Sequence, residues 1–251
     1  MKFRISILIL LSGIVASTLF LEDRSLLITT LLILTLLYVI ALTVGVTTIK
    51  WNYFMNSINR VGEGKICFTF DDGPVENTRD VLAVLNKHEV KATFFLIGKN
   101  CKENQNILKE IMAEGHIIGN HSFSHENSIG WSSTSKVIEE IEQTNQIIKE
   151  VSGIQPQFYR PPFGITNPKI ARAIAKTKMI SVGWTIRTFD TVVKDAEKLI
   201  AKVKPRLNKK GHIILMHDSC PQTVVALDQL IINCKEKGIK IVNLDDIAQT
   251  N

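Results

Sequence analysis

The segment Lys65-Ile-Cys-Phe-Thr-Phe-Asp-Asp-Gly-Pro74 sets the fold class of this chain. Its first six residues form a short apolar run of β type, which is typical of a strand buried in a parallel sheet. Two carboxylates follow, and the Gly-Pro pair predicts a turn that holds both at the end of the strand. Adjacent like charges are costly unless a cation compensates them, so this turn is a candidate metal site; an exposed acidic turn is the alternative.

Short β-type runs alternate with periodic helical segments after this strand. Such alternation predicts parallel strands joined by right-handed crossovers. Seven units over residues 65–249 favour a closed or nearly closed α/β barrel over a short open sheet. The predicted strands are residues 65–70, 92–97, 116–119, 157–160, 179–184, 212–216 and 239–242.

Polar clusters fall at or just after the C-terminal ends of the predicted strands. In a parallel barrel these ends open on one face, where catalytic groups gather. We therefore expect the clusters to share one rim. In chain order they are Asp71-Asp72, His121 with His125, Arg160-Pro-Pro-Phe-Gly164, Asp190 and His217-Asp218.

Three histidines on this rim are candidate functional groups. His121 and His125 have the i, i+4 spacing that brings two imidazoles to one face of a helical turn, although chance or a capping role gives the same spacing. With Asp72 they form a two-histidine, one-carboxylate set with open metal positions. His217 ends a predicted strand and is a candidate general acid; a buried core histidine is the alternative.

Two apolar runs precede the barrel, over residues 5–21 and 26–49. A membrane-spanning helix needs about 17–25 apolar residues, so residues 1–50 predict a two-helix transmembrane hairpin. The alternatives are a cleaved signal peptide followed by one anchor, and a core helix pair of a soluble protein. Residues 51–64 read as an interfacial linker, with Trp51 and Tyr53 at its membrane end.

Charge and cysteine content limit the partners. Of the 30 Lys and Arg and the 24 Asp and Glu, 27 and 22 lie after Ile49. This mild excess favours anionic lipid headgroups or anionic polymers, or else reflects a solvated surface with spare lysines. No basic run is interleaved with aromatics, so nucleic acid is not an expected partner. Cys67, Cys101, Cys220 and Cys234 form no C-x-x-C pair, which disfavours a zinc knuckle.

Four ordered motifs resemble the signatures of polysaccharide deacetylases, the NodB-homology group known as carbohydrate esterase family 4. The resemblance covers residues 65–245 and implies a distorted seven-stranded (β/α) barrel of the NodB type, here preceded by the transmembrane hairpin. The motifs are Thr69-Phe-Asp-Asp-Gly-Pro74, His121-Ser-Phe-Ser-His125, Arg160-Pro-Pro-Phe-Gly164 and Leu215-Met-His217.

The resemblance implies a metal centre with an adjacent base. Asp72, His121 and His125 would bind a divalent ion, commonly Zn²⁺, with Co²⁺, Ni²⁺ or Mn²⁺ as alternatives. Asp71 would be the general base that deprotonates the attacking water, and Arg160 would hold Asp71 in place.

The resemblance also implies the remaining roles. His217 would protonate the departing amine, and Asp190 would orient His217. The backbone N–H of Phe163 would, with the metal, stabilise the tetrahedral oxyanion. Trp184 and Leu215 would contact the substrate, with Leu215 lining the pocket for the acetyl methyl group.

Three positions depart from the family pattern. Glu126 stands where a proline commonly follows the second histidine, Arg187 occupies a position that is often acidic, and Thr191 replaces a frequent aromatic. None of them replaces a metal ligand, the base or the acid. The departures concern the sugar-side groove and the surroundings of Asp190.

The expected activity is N-deacetylation of N-acetylhexosamine units in a cell-envelope glycan, with peptidoglycan as the first candidate and residues 65–249 as the catalytic domain. An O-acetyl esterase and a glycan-binding pseudoenzyme are the alternatives. The positive-inside rule places both flanks of the hairpin in the cytoplasm. An envelope substrate instead favours a two-pass protein of a bacterial inner membrane with a periplasmic or extracellular catalytic domain.

Overall fold

Two long apolar helices begin the chain in the computed structural model. The structure describes residues 2–245. Residues 246–249 of the predicted domain therefore lie outside the described part. They are α1 (Lys2–Phe20) and α2 (Arg24–Thr47). The helix α2 begins earlier than predicted because the Asp23 side chain accepts a hydrogen bond from the N–H of Leu26 at 2.7 Å and caps it. Both helices are long and apolar enough to span a membrane, and their apolar side chains are largely exposed.

The described residues contain one parallel sheet. Its strands are β1 (Lys65–Asp71), β2 (Thr93–Leu96), β3 (Ile117–Asn120), β4 (Phe158–Tyr159), β5 (Ile180–Ser181), β6 (Ile186–Arg187), β7 (His212–His217) and β8 (Lys240–Ile241). Seven strands follow the order β5-β4-β3-β2-β1-β7-β6, and β8 pairs with the start of β1. They form a curled, incompletely closed barrel, which confirms the predicted distorted seven-stranded fold.

The predicted strand over residues 179–184 is too long, and β6 was not predicted. The strand β5 ends at Ser181 because the next residues cross between the two edges of the sheet. The N–H of Val182 still bonds to β4, that of Gly183 bonds to the Ile58 carbonyl, and that of Thr185 bonds to β7. Residue 58 of the predicted linker is therefore bonded to the barrel.

Helices cover the outside of the sheet. They are α3 (Thr78–Lys87), α4 (Gly98–Glu103), α5 (Gln105–Ala113), α6 (Thr134–Ser152), α7 (Pro168–Thr177), α8 (Ala196–Val203) and α9 (Pro221–Glu236). The helix α7 begins at an Asn-Pro pair, since the Asn167 side chain accepts hydrogen bonds from two backbone N–H groups and Pro168 is the first helical residue. Asn77 precedes α3, but its side chain donates to the Asp218 carbonyl instead of capping the helix.

The alternating side chains of β1 show how the core positions the site. Successive side chains of a strand face opposite sides of the sheet. Phe68 and Phe70 are buried in the core shared with the outer helices, whereas Cys67 belongs to a separate apolar cluster. The alternation therefore places Thr69 and Asp71 on the same face as Cys67. This face carries the functional groups at the carboxyl end of the barrel.

Candidate active site

The turn after β1 holds the two carboxylates apart. Asp71 ends the strand and is 3% exposed, whereas the backbone of Asp72 turns sharply with a φ of 77°. A Cβ atom at Gly73 would overlap the Asp218 carboxylate, so the turn requires glycine at this position. Local backbone geometry thus directs adjacent acids toward different partners.

The loop from His121 to His125 is not a helical turn, and that part of the prediction is wrong. Ser122 and His125 have φ angles of 66° and 51°, in the left-handed region. The buried carboxylate of Glu140 on α6 accepts a hydrogen bond from the Ser124 N–H at 2.8 Å and another from its hydroxyl at 2.9 Å. These contacts fix an irregular loop, and the loop brings both imidazoles to the same point.

Asp72, His121 and His125 converge as predicted. Asp72 Oδ1 lies 3.6 Å from His121 Nε2 and 3.5 Å from His125 Nε2, and one ligand atom of each residue lies within 4.8 Å of the others. Asp72 Oδ1 is buried without a hydrogen-bond partner among the described residues. An orphaned buried carboxylate oxygen facing two imidazole nitrogens fits a divalent transition ion.

The protonation state of His121 suits metal binding. Its Nδ1 lies 2.7 Å from the carbonyl oxygen of Arg160, to which a protonated Nδ1 donates, so Nε2 keeps its lone pair. Burial lowers the pKa of His121 to about 3, with the nearby charge of Asp72 opposing this effect. The imidazole is therefore neutral at neutral pH, which is the form that binds a metal.

Asp71 lies beside this ligand set. Its Oδ2 is 3.6 Å from His121 Nε2, and its Oδ1 accepts a hydrogen bond from Arg160 Nη1 at 2.7 Å. Burial raises the pKa of the Asp71 carboxyl, and the charge of Arg160 opposes the rise. A carboxylate with a raised pKa is a stronger proton acceptor near neutral pH.

Arg160 is fully buried and fixed at every nitrogen. Its Nη1 also donates to Thr69 Oγ1 at 2.8 Å, its Nε donates to the Val182 carbonyl at 3.3 Å, and its Nη2 donates to the Gly183 carbonyl at 3.0 Å. The guanidinium carbon lies 4.1 Å from the ring centroid of Phe95. These contacts hold the guanidinium that orients Asp71.

Replacing Arg160 by methionine is expected to lower the free energy of unfolding by about 3–5 kcal/mol, because it leaves Asp71 buried without its partner. Chemical denaturation of the full chain in detergent micelles measures the change. Arg172→Met on the exposed face of α7 is the control, with an expected change within about 0.5 kcal/mol. Equal stability of the two variants would contradict a stabilising role for the Arg160 contacts.

His217 and Asp190 form the second buried pair. His217 Nδ1 lies 2.7 Å from Asp190 Oδ1, and the backbone N–H of His217 donates to Asp190 Oδ2, also at 2.7 Å. Thr223 on α9 donates to the same Oδ2 at 2.8 Å. Burial alone would lower the pKa of His217, but the hydrogen bond and charge of Asp190 outweigh it and the pKa is raised.

These groups surround one cavity of about 240 Å³. Arg160 and Asp190 do not line it but lie behind Asp71 and His217. The backbone of Phe163 has a φ of 59°, and its ring centroid lies 4.6 Å from that of His125. The lining residues are Asp71, Asp72, His121, His125, Phe163, Gly164, Trp184, Arg187, Thr191, Leu215 and His217.

Two buried acids at the site had no predicted role. Asp218 accepts a hydrogen bond from Thr78 at 2.7 Å, and burial raises its pKa to about 7. Its position next to His217 was the only sequence signal. Glu140, which shapes the histidine loop, lies in a helix rich in charged residues and resembles a surface residue in the sequence.

Comparisons with known proteins identify the relatives of this chain. The polysaccharide deacetylase family profile matches residues 59–182. A peptidoglycan-N-acetylglucosamine deacetylase of Bacillus cereus is 36% identical over 195 residues, which cover 75% of this chain and 70% of the relative.

Solved structures similar to this chain come from the same group of proteins. A peptidoglycan N-acetylglucosamine deacetylase has a TM-score of 0.72 and 33% identity, over 78% of this chain and 93% of the other. A carbohydrate esterase family 4 pseudoenzyme from Bacillus anthracis has a TM-score of 0.71 and 29% identity, over 76% and 68% of the two chains. The fold therefore occurs in proteins named as enzymes and in one named a pseudoenzyme.

Proposed function

This chain belongs to the polysaccharide deacetylase family, and we propose that it is a membrane-anchored enzyme that removes N-acetyl groups from N-acetylhexosamine units of a cell-envelope glycan, with peptidoglycan as the first candidate. The active enzymes of this family are metal-dependent hydrolases of the N-acetyl amide bond. The observation that carries the proposal is the convergence of Asp72, His121 and His125 in one cavity with Asp71 and His217.

The ligand set is assigned to Asp72, His121 and His125, with Zn²⁺ as the first candidate and Co²⁺, Ni²⁺ or Mn²⁺ as alternatives. Two imidazole nitrogens and one carboxylate oxygen, with room for further ligands in the cavity, are typical of a catalytic zinc site. Such an ion, when bound, lowers the pKa of water toward about 7 and polarises the amide carbonyl.

The protein side chains handle the protons. Asp71 accepts a proton from the attacking water, whose oxygen forms a bond to the acetyl carbon. His217 donates a proton to the amide nitrogen as the carbon–nitrogen bond breaks, so that acetate and a free amine leave. Arg160 and Asp190 act as positioning residues, because each fixes one of these groups from behind.

The remaining cavity residues are assigned to the substrate. The backbone N–H of Phe163 stabilises the developing oxyanion. Leu215 lines the pocket for the acetyl methyl group, and Trp184 forms a wall of the sugar site.

Asp190→Asn is expected to shift the alkaline limb of the kcat/KM profile to lower pH. His217 must be protonated to donate, so activity is lost as the pH rises through its pKa. Without the charge of Asp190, burial dominates and that pKa falls. The acid limb, set by the raised pKa of Asp71, is expected to stay in place. An alkaline limb that does not move, or moves to higher pH, would contradict the assignment of His217.

Acetate release by the full chain, with added Zn²⁺, tests the proposed function. We expect release from N-acetylglucosamine oligomers and a matching gain of free amine. Release only from O-acetylated oligomers would identify an esterase instead. Binding of the oligomers without any release would identify a pseudoenzyme.

The domain division also forms part of the proposal. Residues 1–50 serve as the two-pass hairpin, 51–64 as the linker and 65–249 as the catalytic domain, on the periplasmic or extracellular side of a bacterial inner membrane. Protease added to intact spheroplasts is expected to digest the domain. Protection of the domain in intact spheroplasts, with digestion after lysis, would place it in the cytoplasm.

A further inference from the structure

The catalytic rim lies directly against the end of the hairpin. Thr166, two residues after the Arg160–Gly164 motif, donates its N–H to the Val46 carbonyl at 3.0 Å and its hydroxyl to the Gly45 carbonyl at 2.7 Å. Both carbonyls belong to the last turn of α2. The barrel is therefore held with its active-site face close to the C-terminal end of the second apolar helix.

Aromatic side chains mark the membrane surface at this end. Ring contacts join Phe3 at the start of α1 to Tyr53 and Phe54, and Trp51 stacks on Tyr53 with centroids 4.8 Å apart. Lys2 Nζ donates to the Trp51 carbonyl at 2.7 Å. Aromatic belts with flanking lysines are typical of the headgroup layer. The catalytic rim thus lies at headgroup level when the hairpin spans a bilayer.

Two further cavities lie between the active-site cavity and this surface, and together we call them the membrane groove. The nearer one, of about 230 Å³, shares Trp184 and Arg187 with the active-site cavity. The farther one, of about 660 Å³, shares Thr48, Lys50 and Thr185 with the nearer one. The three cavities are therefore neighbours with shared side-chain walls, and they lie in a row from the candidate metal ligands to the end of α2.

The membrane groove is cationic. Lys50, Arg60, Arg187 and Arg206 line it, and no aspartate or glutamate of residues 2–245 does so. None of the four forms a salt bridge with a described carboxylate. Burial lowers the pKa of the neighbouring His212, and the positive charges of Arg60 and Arg206 lower that pKa further. The groove therefore holds positive charge that no carboxylate in the described part of the chain neutralises.

We propose that the membrane groove binds a phosphate or pyrophosphate that links the sugar to a membrane lipid, so that the substrate is a lipid-linked N-acetylated amino sugar or glycan. This inference rests on the proposed deacetylase function and names its substrate class. Arginine and lysine are the residues that bind phosphate oxygens, and an N-acetylhexosamine ring carries no charge of its own to pair with four cations. The groove places such an anion between the membrane surface and the reacting N-acetyl group.

The test compares two substrates with the full chain in lipid nanodiscs. One is an N-acetylated oligosaccharide joined by pyrophosphate to a polyprenyl lipid, and the other is the same oligosaccharide without the lipid and phosphate. We expect Lys50→Gln to lower the ratio of the two kcat/KM values about tenfold, which corresponds to about 1.4 kcal/mol. Arg206→Gln is expected to act in the same direction. Lys109→Gln on the exposed face of α5, outside the groove, is the matched control and leaves the ratio at the wild-type value.

A binding measurement separates this inference from the proposed function. We expect the Kd of the Lys50→Gln variant for a sugar-free polyprenyl pyrophosphate to be about tenfold higher than that of the wild type, even if no acetate is ever released. An unchanged Kd together with an unchanged ratio overturns the inference. Equal affinity for nanodiscs that contain only phosphatidylglycerol also overturns it, because the groove would then bind ordinary anionic headgroups. Failure of the wild type to deacetylate either oligosaccharide counts against the proposed function alone.

Discussion

Asp71→Asn is expected to lower kcat for acetate release by about three orders of magnitude, while the bound metal stays at the wild-type level. Asparagine keeps the shape of the side chain and can still accept the hydrogen bond from Arg160. It cannot accept a proton from water at neutral pH. Acetate assays and elemental analysis of the purified variant measure the two effects separately.

Asp80→Asn provides the control for this change, because Asp80 is an exposed acid on α3 outside the cavity. Its kcat is expected to match that of the wild type. Full activity of Asp71→Asn would exclude Asp71 as the base. Loss of metal in Asp71→Asn would instead assign Asp71 to the ligand set.

His121→Ala and His125→Ala are each expected to lose the metal and to lower kcat by about three orders of magnitude, since a bound ion contributes several kcal/mol to transition-state stabilisation. Each change removes one of two imidazole ligands and leaves Asp72 with a single nitrogen partner. Zinc titration and acetate release check both effects.

His88→Gln is the matched control. The His88 side chain pairs with Asp228, and His88 does not line the active-site cavity. This variant is expected to keep its zinc and its turnover. An alanine variant of either site histidine that binds zinc as tightly as the wild type would show that the ion is held elsewhere.

The sequence was sufficient to predict the barrel and to bring the candidate metal ligands, Asp71 and His217 to one rim, but not the buried acids Asp218 and Glu140 around them. The run before Asp71 is apolar at nearly every position because both faces of β1 are buried, and this pattern is typical of a central parallel strand. The polar residues then had to gather at one end, because parallel strands present their carboxyl ends together. The structure brings Asp71, His121 and His217 to one cavity as expected.

Local sequence could not predict the parts that depend on distant contacts. The spacing of His121 and His125 suggested a helical turn, whereas the buried Glu140 on α6 holds an irregular loop. The crossing at Gly183 depends on a bond to Ile58, more than a hundred residues earlier. The docking of Thr166 on the end of α2 likewise leaves no periodic signal in either segment.

X-ray absorption at the zinc edge of the full chain loaded with one equivalent of Zn²⁺ tests the central claim most directly. With Asp72, His121 and His125 as ligands, the spectrum is expected to show two imidazoles and only nitrogen or oxygen neighbours at about 2.0–2.2 Å. The chain also has four buried cysteines, and thiolate ligands from them would give a different spectrum. Sulfur neighbours at about 2.3 Å, or a first shell without imidazole, would contradict the assigned metal site.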